Sequence, residues 1–254
     1  MPHLQRFRAM VDQIKAHPLL EVRRFEIGAP IDADGLRAVE RHLGAPLAPA
    51  LKGFFQECNG LSLYWKIKAG LSDDEMDALG EDFGDYDLGS PDDESGEDHQ
   101  SLFANLKILP LQEAIIGRDW SKVILAGDDE MARQPVDFLG KPQPRGTLLQ
   151  KLRPFDLFSG YACMAFYLEP GVGDPKALHL SGHYVEWDNS RLTDFASYLE
   201  VVLATRGLTE ARANVFKAYR GDQQPLLTFA GPDDLEHHIP ALFQGESAQT
   251  DDED

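Results

Sequence analysis

The stretch LKGFFQECNGLSLYWKIK, from Leu51 to Lys68, predicts a helix, a tight reversal and a strand in direct succession. Its first half carries apolar residues at helical spacing, and Pro49 just before it suits the first position of a helix. Asn59 and Gly60 follow the last apolar residue of that helix, and both residue types tolerate the left-handed backbone that ends helices. The second half alternates and is rich in aromatic and aliphatic residues, as strands are.

The same stretch contains Cys58, which raises the question of a reactive thiol. A catalytic cysteine needs a base or a positive neighbour that lowers its pKa. The nearest histidine in the sequence, His42, belongs to a different predicted helix, and Cys58 shares the apolar side of its own helix. We predict that Cys58 packs in the core, with a cysteine-histidine pair as the alternative.

Three elements are predicted before this stretch. Apolar residues at helical spacing indicate an N-terminal helix that ends before Pro18, and EVRRFEI (Glu21 to Ile27) indicates a short strand. Asp32 is placed to cap a second helix, and Gly44 marks its end.

Further strands and helices are predicted after it. Strands are expected in LKILPLQEAI (Leu106 to Ile115), where the strand runs into a turn or helix, in SKVILAG (Ser121 to Gly127), and in a hairpin from Tyr161 to Trp187. A helix that begins near Phe195 ends at Gly207, and a weaker helix spans Thr209 to Tyr219. The turn-rich residues from Asp128 to Thr147 predict a surface excursion.

Negative charge is concentrated in two places. The net charge is −19, and thirteen acids without a single Lys or Arg lie between Ser72 and Asp98, a segment we call the acidic insertion. Asp251 to Asp254 add four more acids, and the rest of the chain is nearly neutral. This balance argues against nucleic acid as a direct partner, since such a ligand requires neutralising basic residues.

The sequence lacks the common motifs of catalysis. HExxH, GxSxG, GxxxxGK and GxGxxG do not occur, and two cysteines cannot form a cysteine-based zinc site. The carboxylates from Asp85 to Glu97 depart from the calcium-loop pattern, and the adjacent His237 and His238 have no obvious third ligand. We therefore predict no catalytic residue, no metal site and no cofactor.

The cysteines, the N-terminal residues and the lengths of the apolar segments predict a cytoplasmic protein. The apolar neighbours of Cys58 and Cys163 indicate buried thiols in a reducing compartment. The N-terminal residues lack the apolar run of a signal peptide, and no apolar segment of the chain is long enough to cross a membrane. We expect a cytoplasmic protein without membrane association.

A pattern of single residues suggests a family resemblance. The pattern consists of Glu40, Leu43-Gly44, Leu47, Pro49, Leu51, Phe55 and Asn59-Gly60. In this order it resembles the opening of the SUKH superfamily, which includes the fungal cell-wall synthesis regulators Smi and Knr and many bacterial immunity proteins. The resemblance continues through KILPLQEA, the predicted hairpin and LTDFASYLEVVL, and so covers about residues 30–206.

The resemblance implies an α+β fold and a division of the chain. The expected fold is a single mixed, mostly antiparallel sheet of about six strands flanked by helices, with an N-terminal helix and a C-terminal helical extension. Residues 1–207 would form the SUKH-like domain, with its core at 30–206 and the acidic insertion at 72–98. Residues 208–245 would form the extension, and 246–254 a disordered acidic tail.

The resemblance also implies a non-enzymatic function. Family members bind other proteins, and many bacterial members resemble antidotes that block a toxin, often a nuclease. A basic toxin domain would be complemented by the acidic insertion. The expected partner-binding residues are Asp82, Asp85, Tyr86, Asp87, Asp92, Asp93 and Glu94. A second interpretation is that these acids only keep a loop solvated.

A different class of function stays open beside this one. A cytoplasmic scaffold or regulator could dock a client protein through the C-terminal extension, using apolar residues such as Ile239, Leu242 and Phe243. An enzyme is the least supported alternative, because no nucleophile, base and orienting residue are grouped in the sequence.

Overall fold

The computed structural model describes residues 1–68, 103–117, 121, 125, 127–138, 140–157, 162–181 and 191–216. Its helices are α1 (His3–Ala16), α2 (Ala33–Leu43), α3 (Pro49–Glu57), α4 (Asp129–Arg133), α5 (Arg145–Leu149), α6 (Phe195–Ala204) and α7 (Thr209–Phe216), with a π-helix at Glu113–Gly117. Its strands are β1 (Leu20–Ile27), β2 (Leu61–Ile67), β3 (Phe103–Ile108), β4 (Pro135–Phe138), β5 (Lys141–Pro144), β6 (Leu152–Leu157), β7 (Cys163–Tyr167) and β8 (Lys176–Leu180).

Six of these strands form one sheet in the order β1-β2-β3-β6-β7-β8, and every neighbouring pair is antiparallel. Strands β4 and β5 form a separate hairpin. The predicted α+β fold with a mostly antiparallel six-stranded sheet is confirmed, as are its N-terminal and C-terminal helices.

The opening stretch folds as its pattern predicts. Helix α3 begins at Pro49, and β2 alternates between buried and half-buried residues along its whole length. Between them, Cys58 has an extended backbone and Gly60 has a φ of 109°. The Gly60 carbonyl accepts a hydrogen bond from Gly28 N (2.8 Å), which ties the reversal to the end of β1. The predicted tight reversal therefore depends on a positive φ at Gly60.

Two apolar clusters lie on opposite faces of the sheet. Successive residues of β7 alternate between them: Met164 and Phe166 belong to the larger cluster, with the helices α1, α2, α3, α6 and α7. Cys163 and Ala165 belong to the smaller cluster, which α5 and the β4-β5 hairpin cover. At the centre of the larger cluster, the Phe155 and Phe166 rings stack with centroids 4.0 Å apart.

Helix ends follow the predicted residues. Asp32 Oδ1 accepts from Gly35 N (2.7 Å), and Gly44 ends α2 with a φ of 73°. At α6, Asp194 Oδ1 likewise accepts from Ser197 N (2.7 Å), while the helix ends at Ala204 and Gly207, with a φ of 73°, follows three residues later.

One prediction between β3 and β6 is wrong, and regular elements in the predicted surface excursion were not expected. Of the described residues inside the predicted strand SKVILAG, Ser121 and Leu125 are helical and Gly127 lies in a turn. The predicted excursion after Asp128 contains α4 and the β4-β5 hairpin, whose three prolines obscure its strand pattern. Proline is compatible with such a hairpin because each strand has an edge on which no backbone N–H is needed.

Strand β6 was not expected from the sequence. Its sequence LRPFDL places Pro154 and Asp156 in a strand that is buried at both residues. A register shift between these two residues turns Phe155 and Asp156 toward the same cluster, which breaks the alternation that identifies strands.

Helix α7 lies beyond the domain boundary expected at residue 207. Leu208, Ala211, Val215 and Phe216 are all buried in the larger cluster. The acidic insertion, the end of the predicted hairpin and the chain after Phe216 lie outside the described residues.

Candidate functional site

The acidic insertion connects two adjacent strands of the sheet. Strand β2 ends at Ile67, β3 begins at Phe103, and Lys66 lies opposite Phe103 in the register. Adjacent strands are about 4.8 Å apart, so the chain leaves and re-enters the sheet at nearly the same place. All seven predicted partner-binding residues belong to this connection and lie outside the described residues.

The base of the insertion is held by buried contacts. Trp65 is fully buried, and its Nε1 donates to the Arg206 carbonyl (2.8 Å). One residue past β2, Lys68 N donates to the Leu19 carbonyl (2.9 Å). The point from which the insertion departs is therefore fixed to both β1 and the end of α6.

Arg206 reinforces this base in an unusual backbone conformation. It has a φ of 53°, the only positive value among the described residues other than glycine. Its Nη1 donates to the carbonyls of Leu203 (2.8 Å) and Ala204 (3.1 Å), and burial lowers the pKa of its guanidinium. These bonds satisfy carbonyls at the C-terminus of α6, where a positive side chain is favourable.

The sheet presents a polar surface beside the insertion. On the face of β1, β2 and β3 opposite the larger cluster, Tyr64 is half-buried and lies opposite both Arg24 and Asn105 in the register. The neighbouring rows pair Glu21 with Lys66 and Glu26 with Ser62, so both signs of charge are present. Such a surface suits contact with another protein, where Tyr and Arg often dominate the binding energy.

A buried charged cluster was missed by the sequence analysis. Asp156 and Arg212 are both completely buried and form an ion pair. Asp156 Oδ2 also accepts from the Tyr198 hydroxyl (2.7 Å), and Oδ1 accepts from Lys107 N (2.7 Å). Burial, followed by the charge of Asp156, raises the pKa of Tyr198 well above its ordinary value.

This cluster has the features of a buried structural ion pair and not those of a reactive site. Both oxygens of Asp156 have hydrogen-bond donors, and the groups are shut off from solvent. The signal in the sequence was a single acid, Asp156, between two apolar residues. Its ion-pair partner, Arg212, is 56 residues away along the chain. A sequence pattern cannot supply that pairing.

Neither cysteine has the properties of a nucleophile. Cys58 is fully buried, and burial with the nearby charge of Glu57 raises the pKa of its thiol to about 12. Burial, with a smaller effect of Asp156, raises the pKa of Cys163 well above the ordinary value. Both thiols are protonated at neutral pH, and the predicted core packing of Cys58 is confirmed.

The described ranges contain no group of three or more His, Cys, Asp or Glu residues arranged to hold a metal ion. No helix in the described part of the chain is both long and apolar enough to cross a membrane. The candidate calcium loop and the His237-His238 pair lie outside the described residues.

The chain matches no model of a known protein family, and no curated protein matches it.

Proposed function

We propose that this chain is a non-enzymatic binding protein of the immunity type, which blocks a basic toxin domain, such as a nuclease, inside the cell. One observation supports this most directly. Thirteen acids without a basic residue are carried by a connection whose two ends are joined to adjacent strands of one sheet. Concentrated charge on a rigid body attracts an oppositely charged partner and speeds encounter.

The described part of the chain supports the base of the insertion. The base of the insertion is held by Trp65 and Lys68, and the neighbouring sheet face offers Tyr64 beside Arg24 for close contact. Occlusion of a partner requires no bond to be made or broken. The resemblance to the SUKH superfamily supports the same function.

Charge neutralisation in the insertion tests the proposal. Replacing Asp85, Asp87, Asp92 and Asp93 with Asn should slow association with a basic nuclease toxin domain by roughly tenfold or more at low salt, because electrostatic steering is lost. Stopped-flow association rates over a salt series measure the effect.

The acidic tail provides a matched control. Neutralising the four acids from Asp251 to Asp254 removes the same charge from another place, and should leave the association rate nearly unchanged. Equal rates for the wild type and the insertion variant would reject the insertion as the contact surface.

The scaffold function is tested by shortening the chain. Residues up to Phe216 belong to the core, so the deletion must begin at Lys217 and not at Leu208. Loss of partner binding in the chain that ends at Phe216 would favour docking through the C-terminal extension. Retained binding would favour the insertion.

A further inference from the structure

Strand β1 lies at one end of the six-stranded sheet. Within the described ranges it pairs with β2 alone, so its other side is an edge of the sheet. Gly28 N, just past β1, donates to the Gly60 carbonyl (2.8 Å), and backbone groups alternate in direction along a strand. Phe25 and Ile27 therefore direct their N–H and carbonyl groups away from β2. We call these backbone groups of Phe25 and Ile27 the β1 edge.

The apolar face of the sheet is incompletely covered along this edge. In β2, every second residue from Leu61 to Ile67 is buried in the larger cluster. Three of their partners in β1, Val22, Phe25 and Ile27, are only half-buried, although they pack against the same cluster. A strand added at the β1 edge would remove more of this apolar surface from water, which is favourable.

The opposite face of β1 carries exposed charges of both signs. Arg24 and Glu26 are exposed and lie opposite Tyr64 and Ser62 of β2. Because they flank Phe25, they would lie beside any strand that pairs with the β1 edge. Charges at such positions select the partner, since unlike charges on opposite residues attract and like charges repel.

We propose that the β1 edge pairs with β1 of a second copy of this chain, antiparallel and with a two-fold axis at Phe25. In this register the two copies of Phe25 exchange both of their backbone hydrogen bonds. Arg24 of each copy lies opposite Glu26 of the other, so two pairs of unlike charges meet. The proposal is independent of the immunity function.

The charges favour this register over its neighbours. An axis midway between Arg23 and Arg24 would place these two residues opposite each other, and Glu21 opposite Glu26. An axis at Glu26 would bring the two copies of that residue together. Like charges directly opposite each other destabilise a sheet. Of the three registers, the one with its axis at Phe25 pairs unlike charges and avoids pairs of like charges.

The expected contact is short and weak. A bulge at Arg23 interrupts β1, and bulges limit the length over which an edge can pair. The net charge of −19 also opposes self-association. However, the base of the acidic insertion lies beside Leu20, about 17 Å along β1 from Phe25. This exceeds the Debye length of about 8 Å at about 0.15 M salt, so we expect a dissociation constant on the order of 100 µM.

Charge reversal on the full chain tests the proposal. Sedimentation equilibrium of the wild type, from about 10 µM to about 1 mM, should show an average mass that rises above the 28.3 kDa of one chain. Arg24→Glu and Glu26→Arg should each weaken association by about tenfold or more, because each creates two pairs of like charges. The chain with both changes pairs unlike charges again and should associate like the wild type.

Two further measurements control for net charge and locate the contact. Arg37→Glu makes the same charge change as Arg24→Glu at an exposed position of α2, and should leave association unchanged. Hydrogen exchange at the Phe25 amide should slow as the concentration of the wild type rises, because the dimer bonds this N–H. In the two single-reversal variants the exchange should stay fast.

Three outcomes would overturn the proposal. A constant mass of 28.3 kDa over the whole concentration range would show that the edge does not pair. Association that neither single reversal weakens, or that leaves exchange at Phe25 unchanged, would place the contact elsewhere. A doubly reversed chain that stays monomeric would reject the register with its axis at Phe25.

Discussion

At the scale of single residues, burial changes the pKa of Cys58 and Tyr198 more than neighbouring charges do. Cys58 stands beside a tight reversal, a position that could have exposed a thiol, yet it is completely buried. Its pKa is raised to about 12 because the thiolate would lose its hydration, and the nearby Glu57 adds to the effect. The same physical cause raises the pKa of Tyr198.

The Cys58 thiol should make stability depend on pH in the alkaline range. Its folded pKa lies above the ordinary value of 9.0, so the folded chain holds the proton more tightly than the unfolded chain. The contribution is complete below pH 9 and is lost as the pH rises from about 9 toward 12. Urea unfolding at pH 8 and pH 10 measures it.

A Cys58→Ala chain is the control, because it removes the titrating group and leaves the others. Its free energy of unfolding should fall less between the two pH values than that of the wild type. A single cysteine contributes at most about 1.4 kcal/mol per pH unit to this difference. Equal losses in the two chains would contradict a buried, protonated thiol.

Contacts between elements depend on glycines that no periodic pattern identifies. The turn between β7 and β8 docks on the connection between α2 and α3, where Ala48 N donates to the Gly173 carbonyl (2.9 Å) and Gly171 N to that of Leu43 (2.8 Å). A Cβ on Gly173 would lie 1.6 Å from the Pro46 carbonyl oxygen, so only glycine fits.

Gly173→Ala should destabilise the fold by about 1–3 kcal/mol, because the two connections must move apart. Gly53→Ala is the matched control. Gly53 lies inside α3 with nothing within 4 Å of an added Cβ, so alanine there should stabilise by about 0.5–1 kcal/mol. Urea denaturation of both variants measures the two effects. A neutral Gly173→Ala would mean that the connections do not touch as described.

At the scale of the whole molecule, α7 connects the two halves of the six-stranded sheet. It brings Arg212 to Asp156 of β6 and to the Asn105 carbonyl of β3, and so joins the two halves of the sheet where their strands overlap least. The half with β6, β7 and β8 is apolar on both faces, whereas the half with β1, β2 and β3 has one polar face.

Arg212→Met should destabilise the protein by about 3–5 kcal/mol, because it leaves the Asp156 carboxylate buried without its ion-pair partner. The chain that carries both Arg212→Met and Asp156→Asn should recover most of this loss. Thermal and urea unfolding of the two variants measure the difference. Equal destabilisation of both would mean that packing, and not charge, holds α7.

Local sequence patterns were sufficient to predict an element or its end where a single residue type or a short alternation decides the local geometry. Asp32 and Gly44 were identified as the ends of α2 because capping and positive φ are properties of single residues, and β2 was identified by its alternation. The six-stranded antiparallel sheet agrees with the expectation from the family resemblance. The predicted contact surface in the acidic insertion stays a prediction.

The sequence by itself determined the helices around the opening stretch, the reversal at Gly60 and the uneven distribution of acids, since each is written in neighbouring residues. Only the tertiary structure decided that Asp156, Tyr198 and Arg212 meet, that β6 is a central strand and that α7 covers β3. These features depend on contacts between residues 42 to 107 positions apart, where burial and hydrogen bonding in three dimensions override local preference.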